Sequence, residues 1–543
     1  MKRVILILAA AAVAVGCGTT GHPRGVDKAW KSLEADFLEC AAVGPLEDGA
    51  FVVATTQIVS PAGQTVLFPG RPVDLALSPD GKTLAVKSRR ELVLIDMDTL
   101  LPKQTLPTEK EGTSFHGIAW SEDGQRVWLT SAGRFLWSAK KGEDGAFVWA
   151  DEIVLPGPKG DTPSAPGGFF LDEQRGFAYV ALSRNNAVGV VDLRAGRVVA
   201  EIPVGIAPYD VLPHGDKAYV TNWGGRRSRP GDLTGPTSDS EAVIDEAGIA
   251  STGAVTVIHP ADQRVVAEIA VDLHPSGMAI SPDGGRLYVA NANSDTVSVI
   301  DTATLKVIGR WGTKPIPEIP FGSAPNALAV SLDGTTLYAA NGGNNCIAVL
   351  ETDTGAVRGL IPTGWYPGQV LLTPDGAMLC IVNTKGVGSR AKSSRPEWQR
   401  RGPGEEAPAY NSHDHLGSVS FVPVPNPDEL EEYTYRVAVQ MRLPLMRRLL
   451  HRKDVARRTV PVPTRPGEVS VFKHVLYIIK ENRTYDQVFG GLPQGNGDPS
   501  LCHFGRDVTP NHHALAEEFV LLDNFYCNGI LSADGHQWTT KGT

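Results

Sequence analysis

Along most of the chain, apolar and polar positions follow one recurring pattern: an apolar run, an Asp-Gly turn, and a second apolar run. Residues 72–86 read Pro-Val-Asp-Leu-Ala-Leu-Ser-Pro-Asp-Gly-Lys-Thr-Leu-Ala-Val, and residues 275–289 and 325–339 repeat that order. Two β-prone runs joined through Asp-Gly predict a tight hairpin. A third apolar run follows, at 188–192, 297–301 and 347–351. Its nearly continuous hydrophobicity predicts a strand covered on both faces. A turn and a fourth strand, such as 306–310, complete the unit.

The last apolar residues of the second runs are Val86, Leu129, Val180, Val220, Val289, Ala339 and Ile381. They recur at about 40 to 50 residues, the spacing of four-stranded propeller blades. One longer step is explained by a Gly-, Arg-, Ser- and Pro-rich insertion over 224–251. The expected fold is therefore mainly β, a seven-bladed β-propeller over 48–441. Radial closure requires an early strand to join the last blade, and the expected pair is 51–55 with 417–422. Tyr-Val-Thr-Asn at 219–222 and Tyr-Val-Ala-Asn at 288–291 resemble the YVTN family of bacterial propellers. That resemblance implies a fold and leaves function open, because propellers host many activities.

Polar candidates in the inner loops are His116, Asp210, Asn222, Trp223, Asn291, Asn293, Asn341, Trp365 and Tyr366. An Asn closing a strand more often satisfies backbone groups than binds a ligand, and aromatic residues at blade ends more often pack between blades. The insertion at 224–251 and a second at 385–415, which carries Arg390, Lys392, Arg395, Arg400 and Arg401, are better placed for recognition. Either can equally be a solvated loop.

The amphipathic pattern changes after the propeller. Residues 442–467 are basic and end in a Pro-Val-Pro run, which predicts a linker containing a short basic helix. Residues 468–543 then open with an apolar run, 474–480, that predicts a buried strand, followed at once by Glu481, Asn482 and the string Arg-Thr-Tyr-Asp-Gln-Val-Phe-Gly. Downstream come 519–526 and Ser532-Ala533-Asp534-Gly535-His536. A carboxylate and an amide at a strand's carboxyl end sit where open α/β sheets place ligands. Taken alone, such a pair is more often a helix cap or a solvated strand end. The string at 481–490 resembles the opening of the phosphoesterase family that holds bacterial phospholipases C and acid phosphatases, within the alkaline-phosphatase-like superfamily.

That resemblance implies that Glu481 and Asn482 help to hold a divalent metal ion and that Ser532 is the nucleophile, with His536 as its basic companion. The Pro-Asn expected between hydroxyl and basic residue is missing. Phosphate esters are anionic, so a metal that neutralises charge and activates a hydroxyl fits the chemistry, and oxygen donors suit hard cations. Further acidic ligands have no counterpart in this sequence, so the expected segment is an α/β phosphoesterase-like domain truncated after its opening part. His512, His513 and His536 show no zinc-type spacing.

At the amino terminus, Met1-Lys2-Arg3 precedes a short apolar run over 4–15, too short to span a bilayer. Ala14-Val15-Gly16-Cys17 resembles a bacterial lipobox, with Ala14 where Leu is usual. The expected arrangement is a signal segment over 1–17, lipidation at Cys17 and a tether over 18–47. The alternative is a plain secretory signal; both predict an exported protein at the cell envelope. The remaining five cysteines do not form a disulfide framework, although Cys502 and Cys527 could pair in an oxidising compartment. At 543 residues the chain needs more than one core, and a net charge of -9 argues against a nucleic-acid partner. The sequence supports two readings: a phosphate-ester hydrolase whose propeller meets substrate, or a non-catalytic envelope scaffold that binds a protein or ligand.

Overall fold

The computed structural model describes residues 26, 43–316, 319, 322–388, 415–443, 459, 461–462, 470–525, 532, 535–536 and 539. Seven four-stranded antiparallel sheets dominate it. Blade 1 consists of Pro72–Leu77, Thr83–Ser88, Glu91–Asp96 and Leu101–Pro107, and blade 2 of Thr113–Trp120, Arg126–Ser131, Phe135–Lys141 and Phe147–Val154. Blade 3 begins at Pro166–Asp172, blade 4 at Pro208–His214, blade 5 at Pro275–Ile280 and blade 6 at Pro325–Val330. First strands of successive blades touch, and the first strand of blade 7, Trp365–Leu372, returns to that of blade 1. First strands therefore line the axis, and the expected seven-bladed ring is the fold observed.

The core is distributed between blades. Apolar clusters lie at each of the blade contacts, as where Leu92, Leu94 and Leu106 of blade 1 meet Val127, Leu129 and Trp137 of blade 2. The others join blades 2 and 3, 3 and 4, 4 and 5, 5 and 6, 6 and 7, and 7 and 1. Second and third strands are sandwiched between neighbouring sheets, which is why they read as continuous apolar runs. Leu84, Ala85 and Val86 are fully buried. Outer fourth strands alternate instead, as in Lys306–Gly312, with one face to solvent.

Closure differs from the expectation. Gln64–Pro69, rather than 51–55, pairs with Leu416–Pro423 to complete blade 7. Val66 and Phe68 enter the cluster between blades 7 and 1, whereas Phe51–Val52 belongs to a separate three-stranded sheet with Gly44–Pro45 and Ile58–Val59. Both stretches are apolar, but only the later one is immediately followed by the first strand of blade 1, so a short turn sets its register. The insertion at 224–251 does separate the second and third strands of blade 4, and it forms its own hairpin, Thr234–Thr237 with Ser240–Val243. The insertion at 385–415 lies almost wholly outside the described residues.

A helix absent from the sequence expectations, Pro427–Gln440, follows the propeller. Asn426 caps it, accepting from the backbone N–H groups of Asp428 and Glu429, while Glu429 returns a bond to the Asn426 N–H. Thr434 Oγ1 accepts from the N–H of Leu360 at 2.9 Å, tying the helix to blade 6. The chain divides into two compact units, residues 1–53 with 57–444, and 54–56 with 445–542. In the second, Tyr485–Phe489 and Pro510–Glu518 are helical. The buried strand expected at 474–480 does not form: Val475 is 84% and Leu476 86% exposed. An apolar run becomes a buried strand only when a neighbour pairs with its backbone, and no strand ladder forms among 471–525.

Candidate functional site

Two places in the molecule gather chemically able side chains. The first lies on the propeller axis. His116, on the first strand of blade 2, is held between two carboxylates: Nδ1 is 2.9 Å from Asp74 Oδ2, and Nε2 is 2.9 Å from Asp210 Oδ1. Asp74 belongs to blade 1 and Asp210 to blade 4, so the clamp crosses the ring. Gln369 of blade 7 donates to Asp74 Oδ1 at 3.0 Å, and the Gly117 N–H donates to Asp74 Oδ2 at 2.7 Å. Burial works to lower the pKa of His116, but the two carboxylates outweigh it and push the value up to about 10. Asp74 is itself lowered: burial would raise it, and His116 reverses the direction.

Beneath the clamp, Lys87 is fully buried. Its ammonium donates to Ser114 Oγ at 2.8 Å, the carbonyls of His116 at 2.8 Å and Gly117 at 2.9 Å, and Thr130 Oγ1 at 3.0 Å. Burial pulls Lys87 down to about 7, with Asp74 opposing. Space for the clamp depends on Gly168 in blade 3, where a Cβ would lie 2.6 Å from Asp210 Oδ1 and 2.7 Å from His116 Cδ2.

A file of stacked rings extends from His116. Tyr209 lies 5.1 Å from it, Trp223 is 4.3 Å from Tyr209, and His274 is 4.5 Å from Trp223. The repeat shows how unusual these rings are. The residue before the first-strand Pro is Ala165, Ala207 or Ala324 in three blades but His274 and Tyr366 in two others, and all five have a left-handed φ, from 48° to 63°. Trp223 occupies the place filled by Ser183, Ala292 and Gly342 elsewhere, each donating its N–H to that left-handed residue. Trp223 Nε1 and His274 Nδ1 are buried without a protein partner. Burial draws the His274 pKa down to about 4, so its ring is neutral. Lys385 stands over both Trp365, at 5.0 Å, and Tyr366, at 5.1 Å.

Of the sequence candidates, His116, Asp210 and Trp223 meet here. Asn222, Asn291 and Asn341 do not; each is buried and spends its amide N–H groups on neighbouring strands, as in Asn291 to Ser298 Oγ at 3.0 Å. Asp74, Lys87, Tyr209, His274 and Gln369 were missed by sequence reasoning. The signal for Lys87 was present in the repeat: it stands where other blades carry Thr130, Ala181, Thr221, Ala290, Ala340 and Val382.

The second place is in the carboxyl-terminal unit. Glu481 and Asn482 are exposed. Glu481 Oε2 is 3.6 Å from His536 Nε2, and His536 Nδ1 is 2.8 Å from the carbonyl oxygen of Ser532, whose side chain is exposed. Glu481 and His536 thus approach one another, while His536 meets Ser532 through its backbone carbonyl and not its hydroxyl. The rest of the motif has structural work: the Thr484 N–H donates to Gln487 Oε1 at 3.0 Å at a helix start, and Asp486 Oδ1 accepts from the Asp498 N–H at 2.7 Å. His513 is 3% exposed, with Nδ1 2.9 Å from the Thr509 carbonyl. Cys502 is a free thiol; Cys17 and Cys527 lie outside the described residues. Among the described residues, no group of three or more His, Cys, Asp or Glu side chains is placed to hold a metal ion.

A family model described as "Lactonase, 7-bladed beta-propeller" matches residues 274–387, from the start of blade 5 into blade 7. Among solved structures, hydrazine synthase of Kuenenia stuttgartiensis is similar at 20% identity and a TM-score of 0.46, covering 58% of this chain and 93% of that one. No curated protein matches the chain.

Proposed function

We propose that this chain is an exported phosphate-ester hydrolase component, in which the propeller recognises or presents substrate and residues 468–543 contribute part of the hydrolytic site. The observation that carries this reading is the approach of Glu481 to His536 beside Ser532, in a segment whose 481–490 string resembles a phosphoesterase opening. Ser532 offers an exposed hydroxyl as nucleophile. His536 Nδ1 bonds the Ser532 carbonyl rather than its hydroxyl, and Nε2 lies 3.6 Å from Glu481 Oε2.

The resemblance also implies a divalent metal ion. Glu481 supplies a carboxylate and Asn482 an amide, whereas a hard cation takes about six oxygen ligands. The described residues fall short of such a shell. The resemblance of residues 14–17 to a lipobox, after the short apolar run over 4–15, supports placement at the envelope, anchored through a lipid on Cys17.

The test is turnover of p-nitrophenyl phosphate and bis(p-nitrophenyl) phosphate by the purified mature chain, with Mg, Ca, Mn and Zn supplied in turn. Turnover that disappears in Ser532→Ala and Glu481→Ala is the expected result, and dependence on an added metal would mean that further ligands complete the shell that Glu481 and Asn482 begin. Absence of turnover with every metal would reject catalysis by this chain.

A second reading, a non-catalytic binding propeller, is favoured by the rings at one mouth of the axis. Trp223, His274 and Tyr366 replace small residues there, a departure that packing alone does not require. Hydrolysis of a lactone at the axis is not favoured. His116 is held protonated with both N–H groups engaged and so is no base, and Lys87 is fully buried with its Nζ enclosed by Ser114, His116, Gly117 and Thr130. Retention of an envelope protein or ligand by the immobilised chain, lost in Trp223→Ala, would favour this second reading.

A further inference from the structure

Away from the axis, the outer rims of blades 1 and 2 enclose a cleft of about 190 Å³. One wall is aromatic. Trp137, from the third strand of blade 2, and Trp149, from the fourth, have ring centroids 6.0 Å apart and planes inclined at 58°. Around them stand Glu109 and Lys110, which follow the last strand of blade 1, and Asp151 and Glu152 of blade 2.

The walls are fixed by their own bonds. Trp137 Nε1 donates to Glu152 Oε2 at 3.2 Å, and Lys110 Nζ donates to Glu152 Oε1 at 2.5 Å. Trp149 Nε1 donates to the Pro107 carbonyl at 2.9 Å, and Ser138 and Arg126 both donate to Asp151 Oδ2. These bonds hold the two indoles at a set angle before any ligand arrives. They leave Asp151 Oδ1 and the Glu109 carboxylate for an incoming molecule, beside the Lys110 ammonium, which also lies 5.6 Å from the centre of the Phe135 ring.

Size and lining restrict the occupant. Pockets for drug-sized ligands run to about 300–1,000 Å³, so this cleft suits one six-membered ring. A wholly apolar ring would strip water from Asp151, Glu109 and Lys110 without replacing its hydrogen bonds. An anion would face three carboxylates against Lys110. A cation would meet Lys110 directly, and Glu152 and Asp151 already have the cationic partners Lys110 and Arg126. A neutral ring with hydroxyls at its rim meets none of these penalties. Its C–H groups are attracted to the electron-rich face of the half-buried Trp149, which stands on the buried Trp137, and its hydroxyls both donate to carboxylates and accept from the ammonium.

We propose that this cleft binds a single neutral pyranose unit, either as a free monosaccharide or as the end of a glycan. The site is independent of the phosphoesterase reading and lies outside every residue that reading uses.

Saturation-transfer NMR and calorimetry on the full chain would test it, with glucose, galactose, N-acetylglucosamine, maltotriose and chitotriose as probes and choline as the cationic control. At least one sugar should bind, and Trp149→Ala should weaken it by about tenfold or more, a free-energy change of about 1.4 kcal/mol. Glu109→Gln, an exposed substitution that leaves the fold intact, should also weaken it, and Ile308→Thr on the exposed fourth strand of blade 5 should not. Binding of a trisaccharide where its monosaccharide fails would assign the site to a glycan end, and equal affinities would assign it to the free sugar. Failure of all five sugars, displacement of a bound sugar by choline, or native affinity in both Trp149→Ala and Glu109→Gln would overturn the proposal.

Discussion

The Asp74–His116–Asp210 clamp is the most demanding arrangement in the molecule, because a charged imidazole is kept out of water by two carboxylates. Its pH signature has a definite sign. The His116 pKa rises from 6.5 to about 10, so its contribution to stability is fully present below about pH 6.5 and is lost as pH climbs through about 10. Lys87 acts in the opposite sense: its pKa falls from 10.5 to about 7, so its unfavourable burial as a cation is relieved as pH rises across that window. Tyr209, stacked on His116, remains protonated, since burial raises its pKa well above the usual value. The native pH profile therefore mixes two opposing slopes, and the informative quantity is the gap in unfolding free energy between the native chain and His116→Gln. By denaturant titration that gap should be largest near pH 6 and shrink toward pH 10; a gap that stays constant would show that His116 is not held charged. Part of this centre was legible in the sequence. His116 and Asp210 stood out as polar residues expected in inner loops, although both lie on first strands. Asp74 did not, because it sat inside the repeat used to recognise a blade, and only comparison with Gly277 and Ala327 at the same place marks it as an outsider.

At the level of the element, the repeated hairpin turn is where the sequence spoke most plainly. Ser78, Ser121, Ser281, Ser331 and Thr373 each donate to the aspartate two residues on, at 2.5 to 2.6 Å. The next glycine takes a left-handed φ, between 66° and 73° in all five turns. The same motif also builds the ring, which the sequence did not reveal. A Cβ at Gly334 would lie 3.3 Å from Pro282 Cδ in the preceding blade, whereas one at Gly81 would meet nothing within 4 Å. Gly81→Ala should therefore cost only the left-handed penalty, about 1 kcal/mol. Gly334→Ala should cost more, because the turn of blade 5 must also shift. Urea midpoints of the two variants decide it, and equal losses would mean that the turns do not bear on one another. Apolar runs were a weaker guide wherever pairing was not local. Residues 474–480 have the composition of a buried strand, yet composition cannot supply the partner whose backbone makes it one.

At the scale of the whole molecule, a propeller is stable only as a closed ring, because each blade buries its apolar faces against two neighbours. The seam lies in blade 7, where Gln64–Pro69 from the beginning of the ring meets Leu416–Pro423 from its end. The need for such a seam follows from the repeat, but its register could not be read, since two apolar stretches before blade 1 satisfy the same alternation. The pairing of Thr65 with Ser420, whose hydroxyls are 3.0 Å apart across 355 residues of chain, offers a direct test. Replacing both by cysteine places two thiols on facing positions of adjacent strands. A bond closing so long a loop should stabilise by about 6 kcal/mol on loop entropy if the folded geometry is undisturbed. Some of that gain is offset, because Asn383 loses the Ser420 hydroxyl as an acceptor and keeps only Ser418. The gain should vanish on reduction, since buried Cys346 and Cys380 are free thiols that take no part. If the ring opens first at this seam, the oxidised variant should also unfold more slowly than the reduced one at the same denaturant concentration. Equal unfolding rates would place the first opening at another blade contact, with the seam parting only after the transition state.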